Sequence, residues 1–257
     1  MKYAYRLTIG AAAVLTVLAL WQVSATFGWS DPVFLPSPVE LARTTVDLAS
    51  HGYQQISLWH HIGVSLLRAL SAFAVSIAIG VPLGLLMGLT PALNAVLDPF
   101  VQFLRPLPKI ALIPLTVVWF GIGESSKFFL IFISCFLSVV VGAAAAVASV
   151  SRARMLAGQT LGASRLQIFR HVVLPNALPE IFTSVRLSIG IGWTSLIAAE
   201  LVAASSGLGW MVMNSGTYLR TDVVMVGILL LGLIGYLLDY AIVITQRVMV
   251  PWAGREA

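Results

Sequence analysis

Charge is scarce in this chain. Lys and Arg number 15 and Asp and Glu 10, only 10% of 257 residues, against about 25% in an ordinary soluble domain. That shortage excludes a surface built to face water on all sides. Cysteine occurs once, as Cys135, which excludes an intrachain disulfide and a Cys-based metal cluster. Its apolar surroundings make it a small core filler. Short alternating segments are also missing. An outer-membrane barrel is built from alternating strands of about 10 residues, and the apolar runs here are long and continuous.

What is present is 59% hydrophobic residues. A helix needs about 20 apolar residues to cross a bilayer, and the pattern predicts an all-α, polytopic transmembrane helical bundle with six spans. The first lies at about 7–27 and an outer segment follows at 28–61. Further spans are predicted at about 63–89, 100–120, 128–150, 181–204 and 223–246, with a loop at 151–175 between spans four and five. All of 1–257 reads as a single transmembrane domain. Charges inside the interrupted spans can snorkel or face protein.

The net charge of +5 matters by position, so no nucleic-acid partner is implied. With the N-terminus inside, ten basic residues fall on the cytoplasmic side: Lys2, Arg6, Arg105, Lys109, Arg152, Arg154, Arg165, Arg170, Arg247 and Arg255. Three fall outside, Arg43, Lys127 and Arg220, while Arg68 and Arg186 lie within or at the ends of spans. Both termini are therefore expected to be cytoplasmic. Lys2, Arg6 and the apolar run before Val23 to Ala25 also admit a signal peptide, but the apolar core is longer than the usual ~7–15 residues.

The outer segment carries its own helix punctuation. Ser37 can cap, Pro38 suits the first helical position, Glu40 completes a capping box and Gly52 can end the helix. Val39, Ala42, Val46 and Ala49 share one face, which suits either a connector packed on the bundle or a surface helix contacting a partner. His51, His60 and His61 have no Cys or carboxylate cluster beside them, so no metal site is expected. "GIGESSK", Gly121 to Lys127, has only a superficial phosphate-loop look. It lacks the glycine before the lysine and no βα pattern precedes it.

Inside the spans, Gly80, Gly84 and Gly88 share one helix face where another helix can approach. Pro82 marks a kink point, and Pro106, Pro108 and Pro114 prevent a regular helix at the start of the third span. Asp239 is expected near the inner interface, in water. Glu200 is surrounded by apolar residues in "LIAAELVAA". An unpaired carboxylate at depth costs roughly 2.5–3.5 kcal/mol, so Glu200 is expected either to border a solute path or to bond another helix or an Arg. Trp193 and Ser195 are further path candidates.

The loop "SRARMLAGQTLGASRLQIFRHVVLP" predicts two short helices with a bend at Gly162. Ser164 caps the second, Gln167 stands at the capping-box position and Pro175 stops it. Leu166, Phe169 and Val173 are placed on one face. Such a basic segment suits anionic lipid headgroups or a cytoplasmic partner equally well.

This loop resembles the "EAA" loop of ABC-importer permeases. Gly162, then Val172, Leu174 and Pro175, match that family's glycine, β-branched residue and Leu-Pro at the right spacing. The family's Glu-Ala-Ala falls on Leu156, Ala157 and Gly158, and only the middle alanine matches. "FLPSP", "RPLPKIALIPLTVVWFGIGESSK" and "TDVV" are similar to the nitrate, sulfonate and taurine branch, while "AAELVAASSGLGWMV" and "QRVMVPWAG" look most like taurine permeases.

The resemblance implies a non-enzymatic permease subunit in a bacterial inner membrane, working as a homodimer for taurine, an alkanesulfonate or nitrate. It implies two cytoplasmic ATP-binding subunits that hold ATP and Mg, an extracytoplasmic solute-binding protein, and no cofactor on this chain. The 151–175 loop would form the coupling helix, docking through Leu156, Ala157, Leu161, Gly162, Ala163, Ser164, Arg165, Leu166, Phe169 and Pro175. With Leu156 in the glutamate position, shape and apolar contact are expected to outweigh charge. A secondary transporter would bring midplane acids and an internal repeat. A membrane enzyme would bring a nucleophile and base or metal ligands at depth. The sequence offers neither.

Overall fold

The computed structural model describes residues 2–29 and 31–253. Arg255, one of the residues used for orientation, lies outside the described residues. The chain is α-helical, with a lone Tyr53–Ile56 bridge as the β pairing among the described residues. Five helices are long and apolar enough to cross a membrane, and a bent pair makes a sixth if counted as one span. By contacts the chain forms two compact units, Met1–Val64 with Ser205–Gly232 and Ser65–Ala204 with Leu233–Ala257.

The first unit holds α1 (Lys2–Thr26), α2 (Pro38–His51) and α10 (Leu208–Thr217). It also holds the first turns of α3 (Leu58–Leu89) and α11 (Thr221–Met249). No residue of α1 between Thr8 and Thr26 is buried. Helix α2 starts as its sequence dictates, with Ser37 Oγ accepting from the Glu40 amide at 3.1 Å and Pro38 in the first turn. Gly52 ends it at φ +76°, a conformation that favours glycine. The buried stripe is Leu41, Thr44 and Leu48, while Val39, Ala42, Val46 and Ala49 face outward. The predicted apolar face is thus the exposed one, because the rival stripe carries the two leucines.

Polar anchors fix this unit. Thr44 Oγ1 donates to Asp222 at 3.0 Å and the Tyr53 hydroxyl to Asn214 at 2.9 Å. Burial pushes the Tyr53 pKa up, so its O–H stays a donor. His60 and His61 lie in the first turn of α3. His61 is fully buried, stacks on Trp210 and accepts the Gly207 amide at its Nδ1, 3.1 Å away.

The second unit is built around α6 (Glu124–Ala148) and α9 (Leu174–Ala203). Val139, Ala143, Ala146 and Val147 of α6 meet Ala177, Ile181 and Val185 of α9 in one apolar cluster. The glycine face of α3 packs on the same α6. A Cβ at Gly80 would meet Val139 at 3.0 Å, and one at Gly88 would meet Val147 at 2.6 Å. The expected small-residue interface is therefore closed against the chain itself. Cys135 is buried and its thiol donates to the Ser188 carbonyl at 3.0 Å.

The segment expected to be one span at 100–120 is two helices. These are α4 (Pro91–Leu104) and α5 (Ile113–Phe120), the latter entered through a 3₁₀ turn at Lys109–Leu112. The two halves meet at 91°. Pro106 and Pro108 cannot donate helical hydrogen bonds, so the ladder breaks between them. Lys109 Nζ then caps the freed carbonyls of Leu104, Arg105 and Leu107 at 2.9–3.0 Å. Asp239 is not merely hydrated. It takes two hydrogen bonds from the Arg186 guanidinium, so α9 and α11 are joined by an ion pair.

Candidate functional site

Two features concentrate polar or exposed chemistry. The first is the loop between α6 and α9. Helix α7 (Arg152–Thr160) ends in a tight reversal. The Ala163 amide bonds the Gly158 carbonyl at 3.1 Å and the Gly162 amide bonds Gln159 at 2.9 Å. This is a Schellman closure, with Gly162 in the required left-handed conformation at φ +77°. The next residues re-enter helix through a complete capping box. The Ser164 amide donates to Gln167 Oε1 at 2.8 Å and the Gln167 amide to Ser164 Oγ at 3.4 Å, which starts α8 (Arg165–Ile168).

Pro175 does not end this helix. The chain passes from α8 through a π turn, Phe169–Val173, directly into α9, and Pro175 sits in the first turn of α9. The wider turn separates the proline ring from the preceding carbonyls that it would otherwise strike. The extra residue also breaks the predicted common face. Leu166 is 74% exposed, whereas Val173 is 2% exposed and packs in the α6–α9 core beside Ile168 and Phe169. The outcome is a two-sided element. Met155, Ile168, Phe169 and Val173 anchor it, while Leu156, Leu161 at 87% exposure and Leu166 point away. Ala157, Gly162, Ser164 and Arg165 are exposed beside them, and Ala163 is half-buried. The Trp252 indole donates to the Pro175 carbonyl at 3.0 Å, tying residues 251–253 to this base.

The second feature is a charged cluster on α3, α6 and α9. Glu200 is fully buried and accepts from Arg68 Nη1 at 2.7 Å and from Ser65 Oγ at 2.8 and 2.9 Å. The same guanidinium donates Nε and Nη2 to Glu124 at 2.6 and 2.7 Å. Lys127 Nζ reaches Glu124 at 3.1 Å. Arg68 and Lys127 are buried, and Glu124 is 65% exposed. Of the two sequence readings of Glu200, the structure supplies the arginine partner. Arg68, Glu124 and Lys127 were missed as site residues. The signal was present, since a carboxylate at depth demands a cation and Arg68 is a cation inside a span.

Trp193 and Ser195 are also buried within the chain. Ser195 Oγ donates to the Ile191 carbonyl at 3.0 Å, and Trp193 packs over Gly235 of α11. The three path candidates thus share α9 but face different neighbours.

Comparison with known proteins gives these features a context. A family model described as the binding-protein-dependent transport system inner membrane component matches residues 80–254. The chain is 43% identical over 249 residues to the taurine transport system permease protein TauC of Escherichia coli (strain K12), covering 96% of this chain and 90% of that protein. It is 36% identical to the putative aliphatic sulfonates transport permease protein SsuC of the same organism, over 92% of this chain and 88% of that one. The nitrate import permease protein NrtB of Synechocystis sp. is 28% identical over 94% of this chain and 88% of its own length. Among solved structures, the inward-facing MetNI methionine ABC transporter has a similar fold. Its TM-score is 0.65 at 22% identity, over 74% of this chain and 95% of that chain.

Proposed function

Because the chain belongs to the family of binding-protein-dependent transport system inner membrane components, a non-enzymatic permease subunit of an ABC importer, we propose that it forms the path for taurine across the bacterial inner membrane. The observation that carries the substrate is the 43% identity to a taurine permease across nearly the whole chain. Two copies of the chain would assemble, with α1 meeting lipid or the second copy through its unburied surface. A separate ATP-binding subunit would hold ATP and Mg below each copy, and a solute-binding protein would deliver the sulfonate from outside.

In this reading 151–175 is the cytoplasmic coupling element. Leu156, Leu161 and Leu166 would seat in the ATPase as apolar pegs, which suits the absence of the family's glutamate at Leu156. The Schellman turn at Gly162 and the Ser164 box hold the pegs rigid, and the helical run into α9 carries their movement to Trp193, Ser195 and Glu200. These three would shape the path from behind its surface. Substrate opening then follows from ATPase closure as a rigid-body shift.

The test is reconstitution of the permease with its ATPase and binding protein in liposomes. Taurine uptake driven by ATP is expected, exceeding that of longer alkanesulfonates and nitrate. Gly162→Pro should abolish uptake while the protein still inserts. Uptake of nitrate in preference to taurine would replace the substrate, and normal uptake by Gly162→Pro would remove the coupling role.

A further inference from the structure

The cluster of Arg68, Lys127, Glu124 and Glu200 has an uneven build. Three of its members are buried and one is not. Glu200 is 0% exposed and held by Arg68 and Ser65, so it cannot leave without stranding a charge in an apolar interior. Glu124 is 65% exposed and stands at the first residue of α6. It follows Gly121 and Gly123, around which a side chain would meet open space. Its carboxylate reaches solvent and can turn into water once another anion takes its place on the buried Arg68 and Lys127. Its departure would leave Arg68 Nε and Nη2, and Lys127 Nζ, without their present acceptor at the place it occupied.

The charge count then defines a ligand. Arg68 and Lys127 contribute two positive charges and Glu200 removes one, so the site without Glu124 carries one positive charge. The guanidinium edge presents two parallel donors spaced for two oxygens of one planar or tetrahedral group. A carboxylate, a sulfonate and nitrate all present such a pair and each carries a single negative charge. The Glu124 carboxylate occupies the position such an anion would take.

We propose that Arg68 and Lys127 form a receiving site for the single oxyanion group of the transported solute, with Glu124 as the built-in anion that it displaces. This deepens the transport reading above and rests on it. Glu200 is a positioning residue here, since it orients the guanidinium and lowers the net charge to one. Entry of the solute's oxyanion group and release of Glu124 are the same event, so the cations never stand uncompensated. A dianion such as sulfate would leave a negative charge in excess and is disfavoured.

The test is equilibrium binding of radiolabelled taurine to the purified complex of permease and ATPase without the solute-binding protein. Glu124→Gln keeps the size and removes the competing charge. It is expected to lower the Kd about threefold or more, the scale of a partly exposed ion pair. Lys127→Gln is expected to raise it by about the same factor. Methanesulfonate should displace the label and sulfate should not. A purely structural role would lower the thermal stability of Glu124→Gln without tightening binding. Taurine uptake by the complete wild-type transporter, together with a Kd that is unchanged or raised in Glu124→Gln, overturns this inference alone. Absence of both sulfonate and nitrate uptake in the wild type overturns the transport reading with it.

Discussion

Arg68 holds Glu124 with one edge of its guanidinium and Glu200 with the other, bridging residues 56 and 132 positions away in the chain. Removing one partner of a buried pair leaves the other uncompensated, at a cost of about 3–5 kcal/mol. Arg68→Met is therefore expected to be poorly stable in detergent. The double variant Arg68→Met with Glu200→Met should recover at least half of the lost melting temperature, because the buried charge that remains, Lys127, keeps its Glu124 partner. A double variant no more stable than the single one would show that the pair contributes through packing alone.

The glycine face of α3 leaves no space against α6. A Cβ at Gly88 would sit 2.6 Å from that of Val147, and one at Gly84 would sit 2.6 Å from that of Ala143. Neither neighbour is a flexible chain end. Gly88→Val is expected to destabilise by about 1–3 kcal/mol through overpacking. Gly63, which has nothing within 4 Å of its missing Cβ, is the control and should accept alanine without loss. Thermal melting of both variants in one detergent provides the comparison.

Exposed leucines on a rigid turn suit an apolar grip. Leu161→Ser combined with Leu166→Ser should weaken ATPase association about tenfold or more, the scale of losing hot-spot side chains. Arg165→Gln and Arg170→Gln should change it little if shape outweighs charge in this loop. Co-purification of the ATPase subunit, titrated with salt, distinguishes the two cases.

The Trp252 indole bond to Pro175 closes the base of the same loop. Trp252→Phe removes one hydrogen bond, worth about 1 kcal/mol, and keeps the ring. It should increase the rate of trypsin cleavage at Arg165 and Arg170 without lowering the melting temperature appreciably. Trp252→Ala should do both.

Local features were legible in the sequence because their partners lie within a turn. Ser37 with Glu40, Ser164 with Gln167, and the bend at Gly162 need only residues three to five apart. The spans were legible because hydrophobic length is a property of one segment. Pairings across the bundle were not. Nothing in the spacing of Arg68, Glu124 and Glu200 says that they meet, and Asp239 gave no sign of Arg186. Which face of α2 packs was not legible, because both of its faces carry apolar residues and only packing chooses between them. Pro175 was misread as a stop because a proline allows two outcomes, a break or a widened turn before it.

That widened turn also sets a phase. An α-helix advances about 100° and 1.5 Å per residue, so one extra residue at Phe169–Val173 offsets everything before it from the rotation that α9 alone would impose. Leu161 and Leu166 keep their direction only while the extra residue is there. Deleting a single residue from this turn would rotate the loop by about one residue step relative to the bundle. Its outward leucines would then point elsewhere, although the Gly162 turn and the Ser164 box keep their own hydrogen bonds. The π turn is in that sense a timing tooth, and the register between the loop and the membrane helices is fixed by one count of the chain.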